Sequence, residues 1–519
     1  MCKSNPQRAS RMARSSARLP RGAATQETRR AQAGPAWLAQ PATRVAGLEV
    51  APSDLSGSES RYPASRLADD ACRGSCAEAL RGRAALALRG VRSGGRAASL
   101  RPPCAWSCVE GSSRRMLLSP ARPGSLLRVL QVMECTIGGT RRHLRDLAFG
   151  LAGRGAGVEV VCAALREPRM RQDMDAMRAA GIRVHELPMT RAISPLRDAW
   201  HGLRLAACLG DRRFDVLHTH SSKAGALGRS MGFVCSSAVR VHTPHTYAAS
   251  FEGGAGQGGE APGNLGLIMR TERLLGLVTQ RLIHVSEGER REGQALGVIR
   301  PERARVVPNG IDPAPFATPR GGGELRAELG IPDEARVVGS VGLLNDAKGH
   351  DLLVAALPQL PDDVHLLLIG HGELHDALCR QAEQLGVAPR LHLAGWRDEL
   401  SACHDAMDIF ALPSRWEGLS YALLEAAAAG LPCVSAEVNG SRDVLDPGGD
   451  APPCGLMVPR EDVGALAAAL NDLLVHPARA DALARVGPER VAERFSVDRM
   501  VDATLAVYNE ALGRTGGDA

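Results

Sequence analysis

The chain is 519 residues long and 44% hydrophobic, enough for two or three domains with sizeable cores. Its net charge of +6 is local: residues 1–126 hold 21 of the 63 basic side chains and 8 of the 57 acids. The remainder has 42 and 49, so the body has no basic excess with which to hold nucleic acid. No uninterrupted run of 18 apolar residues occurs, which excludes a bilayer-spanning helix.

Residues 1–126 are rich in Arg, Ala, Ser, Gly and Pro, lack apolar periodicity and are expected to be a disordered extension. Two origins stay open. The early, acid-poor Arg/Ser part resembles an organelle transit peptide; alternatively the segment is a translated upstream region, with synthesis beginning near Met116 or Met133. A nucleic-acid role would have only Trp37, Tyr62 and Trp106 for stacking. Five of the 13 cysteines lie here. Cys72/Cys76 and Cys104/Cys108 each enclose three residues with no histidine spacing, so no zinc site is expected. The eight body cysteines sit mostly in apolar runs such as Val160–Cys162 and read as reduced, buried side chains of a cytoplasmic protein.

From Arg128 the pattern becomes alternating strand and helix. Val129–Met133, Val158–Cys162, Ile182–Leu187, Asp215–Thr219, Val239–Thr243 and Arg281–Val285 read as strands, with a Gly138-Gly139 turn and a helix from His143 to Arg154 after the first. A Pro/Gly-rich link, Asp312-Pro-Ala-Pro through Gly321-Gly-Gly323, separates a second series. Its strands are Ala335–Gly342, His365–Ile369, Arg390–Ala394, Asp408–Leu412 and Pro432–Ser435, with helices at Asp351–Leu360, Glu373–Gly386 and Asp462–Val475. Strands alternating with helices imply parallel βαβ units, hence an α/β chain of two Rossmann-like doubly wound domains facing across a cleft. The boundaries fall at 127–311 and 312–495, with a last helix within 496–519 that packs back on the first domain.

The most informative stretch is 414–432, Ser-Arg-Trp-Glu-Gly-Leu-Ser-Tyr-Ala-Leu-Leu-Glu-Ala-Ala-Ala-Ala-Gly-Leu-Pro. Pro413 ends the preceding strand, Gly418 frees the backbone, and the Ala/Leu run to Ala429 is a helix stopped by Gly430 and Pro432. Glu417 and Glu425 stand roughly 12 Å apart at helical rise. That suits an extended nucleotide sugar better than a single reacting bond; a surface helix with two solvated glutamates is the plainer alternative. Only three lysines, Lys3, Lys223 and Lys348, occur beside 60 arginines, so a retained ammonium suggests a need for a compact point charge, against chance placement. Lys223 and Lys348 both follow a strand and open a helix, where helix N-termini attract anions. His218, His220, His242 and His245 crowd strand ends, although a lone histidine there is more often structural.

Ser414, Glu417-Gly418 and Leu423-Leu-Glu-Ala426 together resemble the signature of the retaining glycosyltransferases of family 4, and further motifs extend the resemblance over about residues 127–515. Val341-Gly-Leu-Leu-Asn-Asp-Ala-Lys-Gly349 is similar to the family's donor diphosphate loop, with Leu343 where an arginine is usual and Lys348 as the remaining cation. Gly138-Gly139 matches the family's first loop, Val307-Pro-Asn-Gly-Ile-Asp312 its interdomain motif, and His245 the histidine near the donor sugar. Gly370-His-Gly-Glu373 and Gly395-Trp-Arg-Asp398 resemble segments beside the nucleotide base, while Asn439-Gly-Ser-Arg-Asp443 departs from the usual Gly-Gly followed by an acid.

The resemblance implies a GT-B fold, with the first domain on the acceptor side and the second binding a nucleotide-diphosphate sugar donor. It assigns catalysis to Glu417, His245 and Lys348, and donor binding to Gly138, Gly139, Lys348, Gly370, Gly372, Arg397, Gly418, Leu419 and Glu425. Lys223 and Tyr247 fall on the acceptor side, with Gly253–Gly263 as a lid. No cofactor and no metal are expected, since no Asp-x-Asp motif stands at a suitable strand end. The acceptor class is a glycan or lipid-linked saccharide of exopolysaccharide, capsule or lipopolysaccharide synthesis, used in the cytoplasm at the inner membrane face with peripheral contact. A sugar-nucleotide binder without turnover, favoured by Leu343, and a sugar-nucleotide epimerase are the alternatives.

Overall fold

Among the residues that the computed structural model describes, 126–210, 214–253, 265–318 and 321–514, thirteen strands form two separate sheets. The extension 1–126, apart from Leu126, and the lid after Gly253 lie outside the described residues. The first sheet comprises β1 (Arg128–Met133), β2 (Gly157–Cys162), β3 (Arg183–Glu186), β4 (Val216–His220), β5 (Val239–Thr243), β6 (Arg281–His284) and β7 (Ala304–Val306), in the order β3-β2-β1-β4-β5-β6-β7. The second comprises β8 (Arg336–Val341), β9 (Val364–Ile369), β10 (Leu391–Gly395), β11 (Ile409–Leu412), β12 (Cys433–Ala436) and β13 (Gly455–Val458), in the order β10-β9-β8-β11-β12-β13. Every ladder is parallel. Winding reverses between β1 and β4 and between β8 and β11, the points where open α/β sheets hold ligands beyond their strand ends.

Two short edge strands were not expected from the sequence. β7 has three residues, one of them Arg305, and β13 four, so neither offers a long apolar run. The Gly138-Gly139 pair is also not a turn before a helix: it is the first turn of the Gly138–Gly153 helix, which begins five residues ahead of His143. Gly138 supports this start by adopting φ +52°, a left-handed value that glycine accepts without strain.

Strand side chains alternate between two layers. Val129 and Met133 join Leu144 and Leu147 of the Gly138–Gly153 helix, whereas Leu130 and Val132 join Leu205 and Leu217 on the opposite face. In the second sheet Val337 and Leu367 pack with Leu423 and Leu424, and Val338 and Leu366 with Leu353 and Leu470.

The chain crosses between the domains twice, and the crossings lie side by side. Ile311 donates to the Phe495 carbonyl at 2.8 Å and accepts from Val497 at 3.2 Å. Gly310 is required here, because a Cβ would stand 2.3 Å from the Ser496 carbonyl oxygen. The Val497–Ala511 helix, capped by Ser496, then returns to the first domain. Val501 packs on Gly150, and Tyr508 is fully buried with its hydroxyl 2.7 Å from His218 Nδ1.

A Cβ at Gly150 would lie 2.3 Å from Val501 Cγ2. Gly150→Ala is therefore expected to destabilise by roughly 1–3 kcal/mol despite its better helix propensity. Val501→Ala in the same chain should recover part of that loss, with a coupling of about 0.5–3 kcal/mol in denaturant unfolding. Strict additivity would show that the helix does not pack on Gly150 in solution.

Candidate active site

Between the carboxyl ends of the two sheets lies a cavity of about 440 Å³. The first domain lines it with Gly138, Gly139, Arg142, His245, Thr246 and Asn309. The second contributes Leu343, Lys348, Gly370, Arg397, the Glu417–Leu419 loop and Glu425. Ten of the expected site residues, far apart in sequence, thus meet in one place. Gly372, Lys223 and Tyr247 do not line it.

Each of those three has a local reason. Gly372 lets two loops touch, since a Cβ there would be 2.3 Å from the Leu344 carbonyl oxygen. Lys223 is already neutralised by Asp198 at 2.7 Å and donates to the Ala192 carbonyl. Tyr247 turns inward, 2% exposed, with its hydroxyl 2.8 Å from His284 Nε2.

The loop after β8 and the loop after β11 are stitched into one unit. Lys348 donates to Glu417 Oε1, which also accepts from Ser414 Oγ at 3.0 Å. Behind them Arg415, 7% exposed, forks onto Asp351 at 2.9 and 2.7 Å and also meets Asp346 at 3.2 Å and Glu461 at 3.1 Å. A planar fork among three carboxylates fixes geometry in a way a lysine could not. Arg415 was visible in the motif but carried no expectation. Leu343 faces the cavity as well, and no arginine stands at its position.

The other carboxylate, Glu425, is 2% exposed and pairs with Arg142 from the first domain, whose guanidinium also lies 4.9 Å over the Tyr421 ring. Gly139 leaves room for that ring: a Cβ would be 2.9 Å from Tyr421 Cδ2. The amide of Gly138 donates to Glu167 Oε2 at 2.9 Å. Glycine at 139 thus admits a side chain of the other domain, a role that spacing alone does not disclose. At the mouth, Arg169 lies 4.4 Å over Trp396 and pairs with Asp398, and Arg397 pairs with Glu328. Asn439 and Asp443 point away from the cavity, to Glu292 and the Glu287 amide of the first domain.

His245 follows β5 with φ +62°, and Thr246 with φ +133°. Left-handed backbone at two non-glycine residues costs on the order of 1–3 kcal/mol each and persists where packing enforces it, commonly at functional sites. Gly418 supplies part of that packing, because a Cβ would come within 3.2 Å of the His245 carbonyl oxygen and 3.3 Å of Thr246 Oγ1. Burial, with His143 and His218 adding, holds His245 well below the usual imidazole range, so it is neutral at pH 7.

Beneath this turn Glu289 accepts from the Val285 amide at 2.7 Å. Burial pushes its carboxyl up from 4.5 to about 8. Because the folded value is the higher one, the stabilisation from its neutral form is complete below about pH 4.5 and lost as pH rises through about 8. Glu289→Gln should flatten the fall in Tm across that window. An unchanged alkaline slope in the variant would assign the titration to another group.

Residues 323–490 match the family described as Glycosyl transferases group 1, and residues 137–315 the one described as Glycosyltransferase Family 4. The D-inositol 3-phosphate glycosyltransferase of Kineococcus radiotolerans is 31% identical over 402 residues, 72% of this chain and 91% of that protein. The UDP-Gal:alpha-D-GlcNAc-diphosphoundecaprenol alpha-1,3-galactosyltransferase of Escherichia coli is 31% identical over 262 residues, 49% of this chain and 65% of that one. Anabaena HepE, solved in complex with UDP and glucose, superimposes with a TM-score of 0.62 at 19% identity over 74% of this chain and 100% of its own, a likeness of fold. With two family matches spanning both domains and a relative matched across nine-tenths of its length, the chain belongs to the family 4 glycosyltransferases, sugar-transferring enzymes of GT-B fold.

Proposed function

We propose that the enzyme transfers a hexose, with retention of anomeric configuration, from a nucleotide-diphosphate donor to a glycan or lipid-linked acceptor in surface-polysaccharide synthesis. The observation that carries this reading is the single cavity joining Lys348 and Glu417 at one part to His245 and Glu425 at others. Lys348 and the helix N-termini beside Gly138 and Gly349 receive the leaving diphosphate, so the reaction as proposed requires no divalent ion. As the bond from the anomeric carbon to the diphosphate oxygen breaks, an oxocarbenium-like centre forms. The acceptor oxygen adds on the same face and its proton passes to the departing phosphate oxygen. Glu417 holds sugar hydroxyls or opposes the positive charge, neutral His245 positions the sugar, and Glu425 with Arg142 grips the ribose. Hydrolases instead set two carboxylates about 5–9.5 Å apart around one bond; here each glutamate has its own cation partner.

Lipid-linked acceptors suit the outer face of the first domain, which supports peripheral membrane contact. The helix Ser222–Cys235 packs between the helices Pro195–Gly210 and Leu265–Leu277. On them Leu196 is 88% exposed, Leu203 70% and Leu274 67%, with Trp200, Phe233 and Leu277 also outward. Exposed Arg197, Arg204, Arg270 and Arg273 flank these side chains, while the only acids of the three helices, Asp198 and Glu272, are paired with Lys223 and Arg229. An apolar face with tryptophan and exposed arginines fits an anionic lipid interface. Among the described residues no helix is long and apolar enough to cross a membrane.

Product analysis with labelled donor separates transfer from an isomerised nucleotide sugar and from binding without turnover. Glu425→Gln and Lys348→Ala should each weaken nucleoside diphosphate binding about tenfold or more, the scale of a charged hydrogen bond. Glu417→Gln should lower turnover with nucleotide affinity nearly unchanged. Equal affinity losses at both glutamates, or none at Lys348, would overturn the assignment.

Trp200→Ala combined with Leu203→Ser should release the protein from phosphatidylglycerol vesicles at low salt, and high salt should release the parent chain. Unaltered sedimentation of the double variant would remove this face from the contact.

A further inference from the structure

We infer that His143, His220 and His245 form a binding site for a transition-metal dication of the Zn²⁺ class, set into the cavity wall. Their three ligand nitrogens all lie within 4.8 Å of one another, and His220 Nδ1 and His245 Nε2 are already 3.1 Å apart. His143 and His220 are buried.

The surrounding hydrogen bonds decide which nitrogens are free to coordinate. Asn309 Nδ2 donates to the Leu419 carbonyl at 3.0 Å, so its Oδ1 must accept from His143 Nδ1, also at 3.0 Å. His143 is therefore the Nδ1–H tautomer, and its Nε2 carries a lone pair. That Nε2 is buried without a hydrogen-bond partner. Gln131 is oriented in the same way: its Nε2 donates to the Tyr508 hydroxyl and its Oε1 accepts from His220 Nε2 at 2.6 Å. His220 Nδ1 is thus the second inward lone pair. Metal-bound imidazoles characteristically give their other N–H to a carboxylate or carbonyl oxygen that fixes tautomer and orientation, and two amide oxygens do that here.

His245 is the adjustable member. Its Nε2–H donates to His220 Nδ1 in the structure, and a shift of that proton to its own Nδ1 converts Nε2 into the third ligand. Three imidazoles suit zinc, nickel or copper and not magnesium or calcium. At Zn–N bonds of about 2.0–2.1 Å, tetrahedral neighbours stand roughly 3.4 Å apart, so binding draws the wider of these rings inward and leaves a fourth position for water. The occupied site holds His245 by the nitrogen that faces its neighbours, so metal competes with the sugar-positioning role assigned above. This last consequence rests on the proposed function; the site itself does not.

The test is calorimetric titration of the untagged, chelator-stripped full chain with ZnCl₂ at pH 7.5. One Zn²⁺ per chain is expected, with affinity lost at least about 100-fold in His143→Gln and in His220→Gln, and about 10–100-fold in Gln131→Leu, the scale of an orienting partner. Nucleoside diphosphate affinity, measured in parallel, should stay at the parent value in His220→Gln and in Gln131→Leu. No saturable binding, or binding untouched by His143→Gln, overturns the site. Because buried variants can misfold, the parent chain is also loaded with Co²⁺: intense tetrahedral d–d bands support the site, and the weak bands of octahedral cobalt overturn it. Zinc should inhibit transfer reversibly, with chelator restoring it. Zinc binding in a chain that transfers no sugar would leave the site standing and sink the functional reading instead.

Discussion

One buried amide joins the two halves of this molecule. Asn309 reaches His143 of the first domain with its oxygen and the Leu419 carbonyl of the second with its nitrogen. A buried amide left half-satisfied costs about 1–3 kcal/mol, so this residue ties the position of the Glu417–Leu419 loop to that of the Gly138–Gly153 helix. The cavity between them inherits that tie. Next to Asn309 the chain runs straight into Gly310 and Ile311, where the crossing strands touch, so the amide sits at the least extensible point of the connection.

Charge reinforces this geometry from both sides. Arg142 and Arg169 reach from the first domain to Glu425 and Asp398 of the second; besides these ion pairs, the Glu287 amide donates to Asp443 and Asn439 donates to Glu292. The pairs differ in environment. Glu425 is sealed from water, where losing a partner is costly, whereas Asp398 is largely exposed and its pair is worth little. Separation of the domains would therefore be resisted chiefly at the cavity floor and least at its mouth.

Much of the fold was legible because β1, β2 and β9 announce themselves as apolar runs bounded by turns, and the strand–helix alternation implies parallel winding. β7 and β13 were not, since three or four residues at a sheet edge bury too little to leave a pattern. At the site, glycines and strand-end loops pointed to the right segments. The partners could not be read: Arg142 lies mid-helix with no local mark, and its carboxylate is 283 residues away. Lys223 shows the opposite failure, a rare residue after a strand whose charge is spent on Asp198. Tyr247 sits two residues from His245, but the left-handed backbone between them sends it into the core.

The return of the final helix also shapes how the protein is made. Residues 128–306 leave the ribosome before the second domain and contain every strand of the first sheet. One of its apolar layers, with Met133, Val241 and Gly150 in it or beside it, is covered by Val501, Val507 and Tyr508, which are synthesised only after the second domain. At about 5–20 residues per second the sheet waits roughly 10–40 s for that cover. Through this interval a greasy face and the unsealed His218 hydrogen-bond chain are open to solvent and to neighbouring chains. Nascent-chain chaperones and translation speed across the second domain, features invisible in the finished molecule, are thus part of what its topology demands.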